Sequence, residues 1–169
     1  MTAAVHTPAQ AKFLPAGDTA LVVEFGDRVD PHISALVLGL GRRIDMAAIP
    51  GVIETVPTFR SLMVHYDPLR IANAELKRRI APLLSNLETT ESAGRRWRLP
   101  ACYDPSLGPD LADVAARTGL SPAQVVERHS STAFKVYMIG FLPGFAYLGG
   151  LPSELELPRR ENPRVKVEA

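Results

Sequence analysis

The chain has 169 residues, 46% of them hydrophobic and 22% charged, with a formal net charge of +1. That size holds one ordinary domain or two small ones, and the balance is that of a globular protein. The near-neutral charge gives no global electrostatic basis for nucleic-acid or membrane partners. A single cysteine, Cys102, excludes an intramolecular disulfide, and no apolar run reaches the length of a membrane-spanning helix.

Residues 1–11 read as a loose tail, without the basic start and apolar middle of a secretory signal, so a cytoplasmic protein is expected. Residues 13–16 approach a first strand, and Gly17-Asp18 reads as a turn. Residues 20–25 form a strand rich in β-branched and aromatic side chains. Asp30-Pro31 starts a helix, because Asp caps well and Pro suits the first turn. Ile33, Leu36, Val37, Leu40 and Ile44 then recur at helical spacing up to Ile49-Pro50-Gly51. Residues 51–58 and 61–66 predict two strands joined around Phe59-Arg60, with His65 on the sheet surface. Residues 73–87 predict a second helix, with Leu76, Ile80, Leu83 and Leu84 on one side. Pro82 within it predicts a kink or a new helical piece.

Residues 89–94 form a polar boundary. Residues 95–103 read as a strand with Trp97, Leu99 and Ala101 on one face, and Cys102 is expected to be a buried thiol. The order strand, helix, strand, strand, helix, strand is the ferredoxin-like split pattern. It predicts an α+β fold with a ferredoxin-like domain over residues 1–93. Residues 110–117 predict a short helix. Ser121 and Gln124 carry the spacing of a capping box ahead of a helix over residues 122–129. This pair is no DNA reader, since the second helix offers only Arg128 and His129 against Glu127. Residues 132–141 return to strand.

The most distinctive stretch follows: Met138-Ile-Gly-Phe-Leu-Pro-Gly-Phe-Ala-Tyr-Leu-Gly-Gly-Leu-Pro152. Arg159, Arg160, Arg164 and Lys166 come after it, four cations within eight residues. The plain reading is a strand, a Pro-Gly turn and a second strand, with the aromatics in the core. The sharper reading is a binding rim in which backbone amides and arginines face an anionic ligand or partner.

The run 140–151, with Pro158-Arg-Arg160 and Pro163-Arg164, resembles the signature of the allophanate hydrolase subunit 1 family. Residues 13–21 and 108–111 also look like that family, so the likeness covers roughly residues 13–169. The family includes the B-type component of bacterial ATP-dependent 5-oxoprolinase and the Kip-type inhibitor of a sporulation histidine kinase. It is also similar to part of the carboxyltransferase region of urea carboxylase. The resemblance implies a cyclophilin-like β-barrel domain over residues 94–169, partial and with a helical insertion. Family members continue past Ala169 with strands that complete the barrel, so the chain is either a fragment or an open barrel.

Three functions are implied. The first is a non-autonomous subunit of an ATP-dependent 5-oxoprolinase, a lactam hydrolase, working with a C-type paralogous subunit and a third, barrel-type subunit. The second is a Kip-type protein that binds a sensor histidine kinase. The third is a role in allophanate or urea metabolism. ATP enters only at the level of the complex, and no nucleic acid, membrane or metal is implied.

The sequence has no phosphate-binding loop, no dinucleotide fingerprint, no metal-spaced His/Cys cluster and no Gly-x-Ser-x-Gly elbow. Catalytic residues are not identifiable, and the isolated chain is expected to be inactive. The candidates for substrate or partner binding are His129, Phe141, Pro143, Gly144, Phe145, Tyr147, Arg159, Arg160 and Arg164. His129 also sits where the family usually has a histidine. A helix C-terminus alone suits a histidine through the dipole, which is the plainer reading of that position. Core packing is the plainer reading of Tyr147, and a solvated surface that of each arginine.

Overall fold

A computed structural model of the chain describes residues 11–87 and 94–162. The protein is α+β, with antiparallel sheets and separate helices. It divides into two compact units, one built from Met1–Ala93 with Tyr137–Ala146 and the other from Gly94–Val136 with Tyr147–Ala169.

The first unit is organised on a four-stranded sheet. Its strands are β1 (Lys12–Ala16), β2 (Ala20–Glu24), β3 (Val52–Pro57) and β4 (Ser61–Tyr66), in the order β1-β2-β4-β3 and antiparallel throughout. β1 is the hairpin partner of β2 and occupies a sheet edge, the place in a sheet where a proline such as Pro15 is tolerated. Successive side chains face opposite sides of a strand. Leu21 and Val23 of β2, with Leu62, Val64 and Tyr66 of β4, are therefore buried on one face.

Helix α1 (Pro31–Ala47) lays Leu36, Val37, Leu40 and Ile44 on that face, and helix α2 (Asn73–Ile80) adds Leu76 and Ile80 to the same core. Asp30 starts α1, its carboxylate accepting from the backbone N–H of His32 at 2.8 Å and of Ile33 at 3.4 Å. After α1, Gly51 has φ +94°, and a Cβ there would stand 2.6 Å from Ile71 Cγ2, so the position requires glycine. α2 stops at Ile80, and a 3₁₀ turn (Ala81–Leu84) begins at the Pro82 junction. The Arg43 guanidinium then donates to the carbonyl of Leu83 at 3.0 Å and to those of Ser85 and Asn86, fastening the end of this turn to α1.

On the opposite sheet face, Leu14, Val22, Met63 and Val56 stand opposite one another in a row across all four strands. His65 stands on that face too, half-buried, opposite Glu54 and Ala20. The β3–β4 connection is held by Thr58, whose hydroxyl accepts from the N–H of Ser61 at 3.1 Å.

The second unit carries α3 (Leu111–Thr118) and α4 (Pro122–Ser131), which bury Ala115 and Val125 together with Leu155. The Ser121 capping box is formed: the Ser121 Oγ accepts from Gln124 N–H at 3.3 Å, and the Gln124 side chain accepts from Ser121 N–H at 2.8 Å. β5 (Lys135–Ile139) and β6 (Ala146–Gly149) pair as a two-stranded sheet.

Two expectations are corrected here. Residues 95–103 are not a strand. Their alternation is real, but pairing defines a strand, and this segment has no sheet partner among the described residues. The six-element split order is therefore not completed by this segment, and the sheet has an N-terminal hairpin instead. Cys102 is exposed rather than buried, because its apolar neighbours in that segment are themselves exposed or half-exposed.

Candidate binding site

The Pro-Gly segment is a hairpin connection between β5 and β6, as the turn chemistry predicts. Leu142, Pro143, Gly144 and Phe145 form a four-residue turn closed by Phe145 N–H donating to Leu142 O at 3.0 Å. Pro143 presets the second position, and Gly144 supplies φ +79° at the third, the signature of a type II turn. One residue earlier, Leu142 N–H donates to Gly140 O at 2.8 Å around Phe141, whose φ is +67°. This is a γ-turn with positive φ at a bulky residue, a strained conformation.

The aromatics of this turn are not core residues. Phe141 is 82% exposed and meets Phe145 edge-on at 5.7 Å between ring centres. The turn directs Phe141 outward, which accounts for the departure from simple burial. Tyr137, at the start of the same segment, is buried and packs against Phe59 at 5.5 Å. Tyr147 of β6 is half-buried.

His129 stands in the last turn of α4, and its surroundings were not legible in the sequence. The Tyr103 hydroxyl lies 2.7 Å from His129 Nδ1, with the two rings edge to face at 5.9 Å. Phe134 packs on the imidazole from another side at 5.2 Å. The neighbouring Arg128 turns to Glu154. The Glu154 carboxyl is held below its ordinary value by its own backbone N–H, with Arg128 adding to the effect. Tyr103 thus joins the candidate residues through its hydrogen bond to His129, and no local signal in the sequence marks it. Its partner is 26 positions away, and only α4 and the turn at Asp104 bring them together. That turn is set locally by Asp104, which accepts from the hydroxyl and the backbone N–H of Ser106 and is thereby lowered in pKa.

The arginines part company. Arg160 pairs with Asp110 at the start of α3, Arg159 is exposed, and Arg164 lies outside the described residues. An open groove in the first unit gathers Glu54, His65 and Asp67 beside Thr19. Among the described residues, no three His, Cys, Asp or Glu side chains are grouped as metal ligands, and no helix is long and apolar enough to cross a membrane. Chemically, the second unit offers a hydrogen-bonding imidazole paired with a phenol, and the first unit offers an exposed aromatic pair on a strained turn.

Known proteins resemble this chain in sequence and fold. The chain is 32% identical over 167 residues to the 5-oxoprolinase B subunit of Bacillus subtilis (strain 168), covering 90% of this chain and 68% of that protein. It is 38% identical over 154 residues to the 5-oxoprolinase B subunit of Escherichia coli O157:H7, covering 90% of this chain and 69% of that protein. The crystal structure of TTHA0988 superposes with a TM-score of 0.73 at 34% identity, over 89% of this chain; the chain spans 29% of that longer protein. The Kluyveromyces lactis urea amidolyase shares the fold at 15% identity, with a TM-score of 0.59 over 82% of this chain and 10% of that one. Residues 11–169 match the family described as carboxyltransferase domain, subdomain C and D, and the chain belongs to that family.

Proposed function

We propose that the chain is the B-type subunit of an ATP-dependent 5-oxoprolinase, which opens 5-oxoproline with ATP and water to give glutamate, ADP and phosphate. The observation that carries this reading is the likeness to two 5-oxoprolinase B subunits at 32% and 38% identity over 90% of the chain. The subunit works in the cytoplasm with a C-type paralogous subunit and a third, barrel-type subunit, and ATP is bound at the level of that complex. Residues 1–93 serve as a ferredoxin-like domain and residues 94–169 as part of a cyclophilin-like barrel with a helical insertion.

The candidate binding residues in this reading are His129, Phe141, Pro143, Gly144, Phe145, Tyr147, Arg159, Arg160 and Arg164. Opening a lactam whose oxygen is transiently phosphorylated develops negative charge, which preorganised cations and N–H donors stabilise. The exposed Phe141–Phe145 pair supports a role for the turn in contacting substrate or a neighbouring subunit, because exposed aromatics are favoured binding anchors.

The test is co-expression with the two partner subunits, co-purification, and assay of ATP-dependent glutamate release from 5-oxoproline. The expected result is a complex that releases glutamate only with ATP, and an isolated chain that releases none. A stable complex without glutamate release, or release by the isolated chain above a buffer control, overturns the proposal.

A further inference from the structure

We propose that Tyr103 is a positioning residue that fixes the tautomer of His129, so that the imidazole Nε2–H is presented outward as a hydrogen-bond donor to a carboxylate or carbonyl oxygen. The Tyr103 hydroxyl and His129 Nδ1 are 2.7 Å apart. A phenol O–H is a strong donor, and a neutral imidazole has one acceptor nitrogen. The hydrogen bond made at one ring nitrogen decides which nitrogen carries the proton. In the arrangement we propose, the phenol donates to Nδ1, which places the proton of the neutral ring on Nε2.

The rings around it hold this arrangement in place. Tyr103 meets the imidazole edge to face, and Phe134 packs on it at 5.2 Å, so two aromatic neighbours limit ring rotation. The ring is nevertheless exposed, which leaves Nε2 within reach of a ligand. Arg128, the nearest cation along the helix, is paired with Glu154 rather than turned to this ring. The result is an oriented N–H donor of the kind that holds or polarises an oxygen. The identity of the ligand, 5-oxoproline, rests on the proposed function above; the positioning of His129 by Tyr103 does not.

The experiment uses the full chain and its Tyr103→Phe variant, which keeps the aromatic ring and removes only the hydroxyl. Long-range proton–nitrogen correlation spectra at a pH where His129 is neutral report its tautomer directly. The expected result is a dominant Nε2–H form in the parent and a mixture in the variant. A dominant Nδ1–H form in the parent, or a ratio unchanged by Tyr103→Phe, overturns the positioning role. Titration with 5-oxoproline provides the second arm. It is expected to shift the His129 Nε2 resonance and to bind about threefold to tenfold more weakly to Tyr103→Phe, the loss of one net hydrogen bond's organisation. No shift at Nε2 overturns the ligand assignment, and the tautomer arm stands or falls separately from any assay of glutamate release.

Discussion

In β2 and β4 every second residue is apolar, and Leu21, Val23, Leu62 and Val64 are buried. In residues 97–101 every second residue is again apolar, yet Trp97 is 66% exposed and Leu99 83% exposed. Both stretches have apolar residues at alternate positions, although β2 and β4 are more continuously apolar, and their surroundings differ. The first set has strand partners on both sides and two helices laid on one face. The second set has neither among the described residues, and Trp97 is instead stacked by the Arg95 guanidinium at 4.4 Å. Alternation thus specifies which side chains share a face, while burial depends on a second layer arriving to cover it. The first unit derives its stability from its own core. The second has a much smaller buried cluster, Ala115, Val125 and Leu155.

The largest effect that sharpens this contrast is expected in the core of the first unit. Leu40 is fully buried between α1 and the sheet. Leu40→Ala is expected to cost about 2–5 kcal/mol, the usual range for a leucine truncated in a packed core. Val125→Ala removes less and from a small cluster, and about 1 kcal/mol is expected. Denaturant unfolding of both variants measures the difference. Equal losses would show that the two units are stabilised to the same degree and would break the comparison.

A smaller effect is expected at Arg43, where one guanidinium serves three carbonyls at the end of the 3₁₀ turn. Arg43→Met keeps much of the aliphatic stem and removes the donors. A loss of about 1.5–3 kcal/mol is expected from hydrogen bonds to a charged group. Hydrogen exchange should accelerate around residues 81–87 before it changes in β2 or β4. An unchanged exchange rate there would show that the carbonyls find water without cost.

These contrasts also explain how much of the molecule could be read in advance. Helix α1 was legible because Asp30-Pro31 marks its start and its apolar residues recur at helical spacing. The capping box of α4 and the break at Pro82 were legible for the same reason, as both are local chemistry. The Pro143-Gly144 turn was local as well, and its backbone follows that reading. What was not local was not legible. Arg43 reaches carbonyls 40 or more positions away, and Tyr103 meets His129 across 26. The strand expected over residues 95–103 failed because a strand needs a partner that its own residues do not name. The outward Phe141 was hidden because a non-glycine residue with positive φ has no compositional signal.

A still smaller effect concerns the cap of α1. The backbone N–H of His32 is the main group holding the Asp30 carboxyl below its ordinary value, with Ile33 N–H and Arg28 adding. A carboxyl with a depressed folded pKa contributes stability above its unfolded value of about 4, and this is lost as pH falls through the folded value. Asp30→Ala is therefore expected to cost about 1 kcal/mol at neutral pH. The gap between parent and variant should narrow in acid as the parent carboxyl is protonated. A gap that is constant from neutral pH to well below pH 4, at roughly the same size, would show that the ionised form gives the cap nothing.

The smallest effect is expected at the Arg160–Asp110 pair, and it bears directly on the second unit. The two side chains are 49% and 42% exposed, so water screens the attraction and ordering two flexible groups offsets much of what remains. Arg160→Gln is expected to change stability by less than about 0.5 kcal/mol, within the range of ordinary surface substitutions. If the cluster is a binding surface, the same variant should reduce glutamate release by the assembled complex more than about twofold. That combination, little change in unfolding and a clear loss of activity, would assign Arg160 to recognition. A loss of stability of about 1 kcal/mol or more, with activity following it, would instead make the pair a fastening between residues 151–162 and α3. The second unit would then depend on its charged contacts as the first depends on its buried leucines.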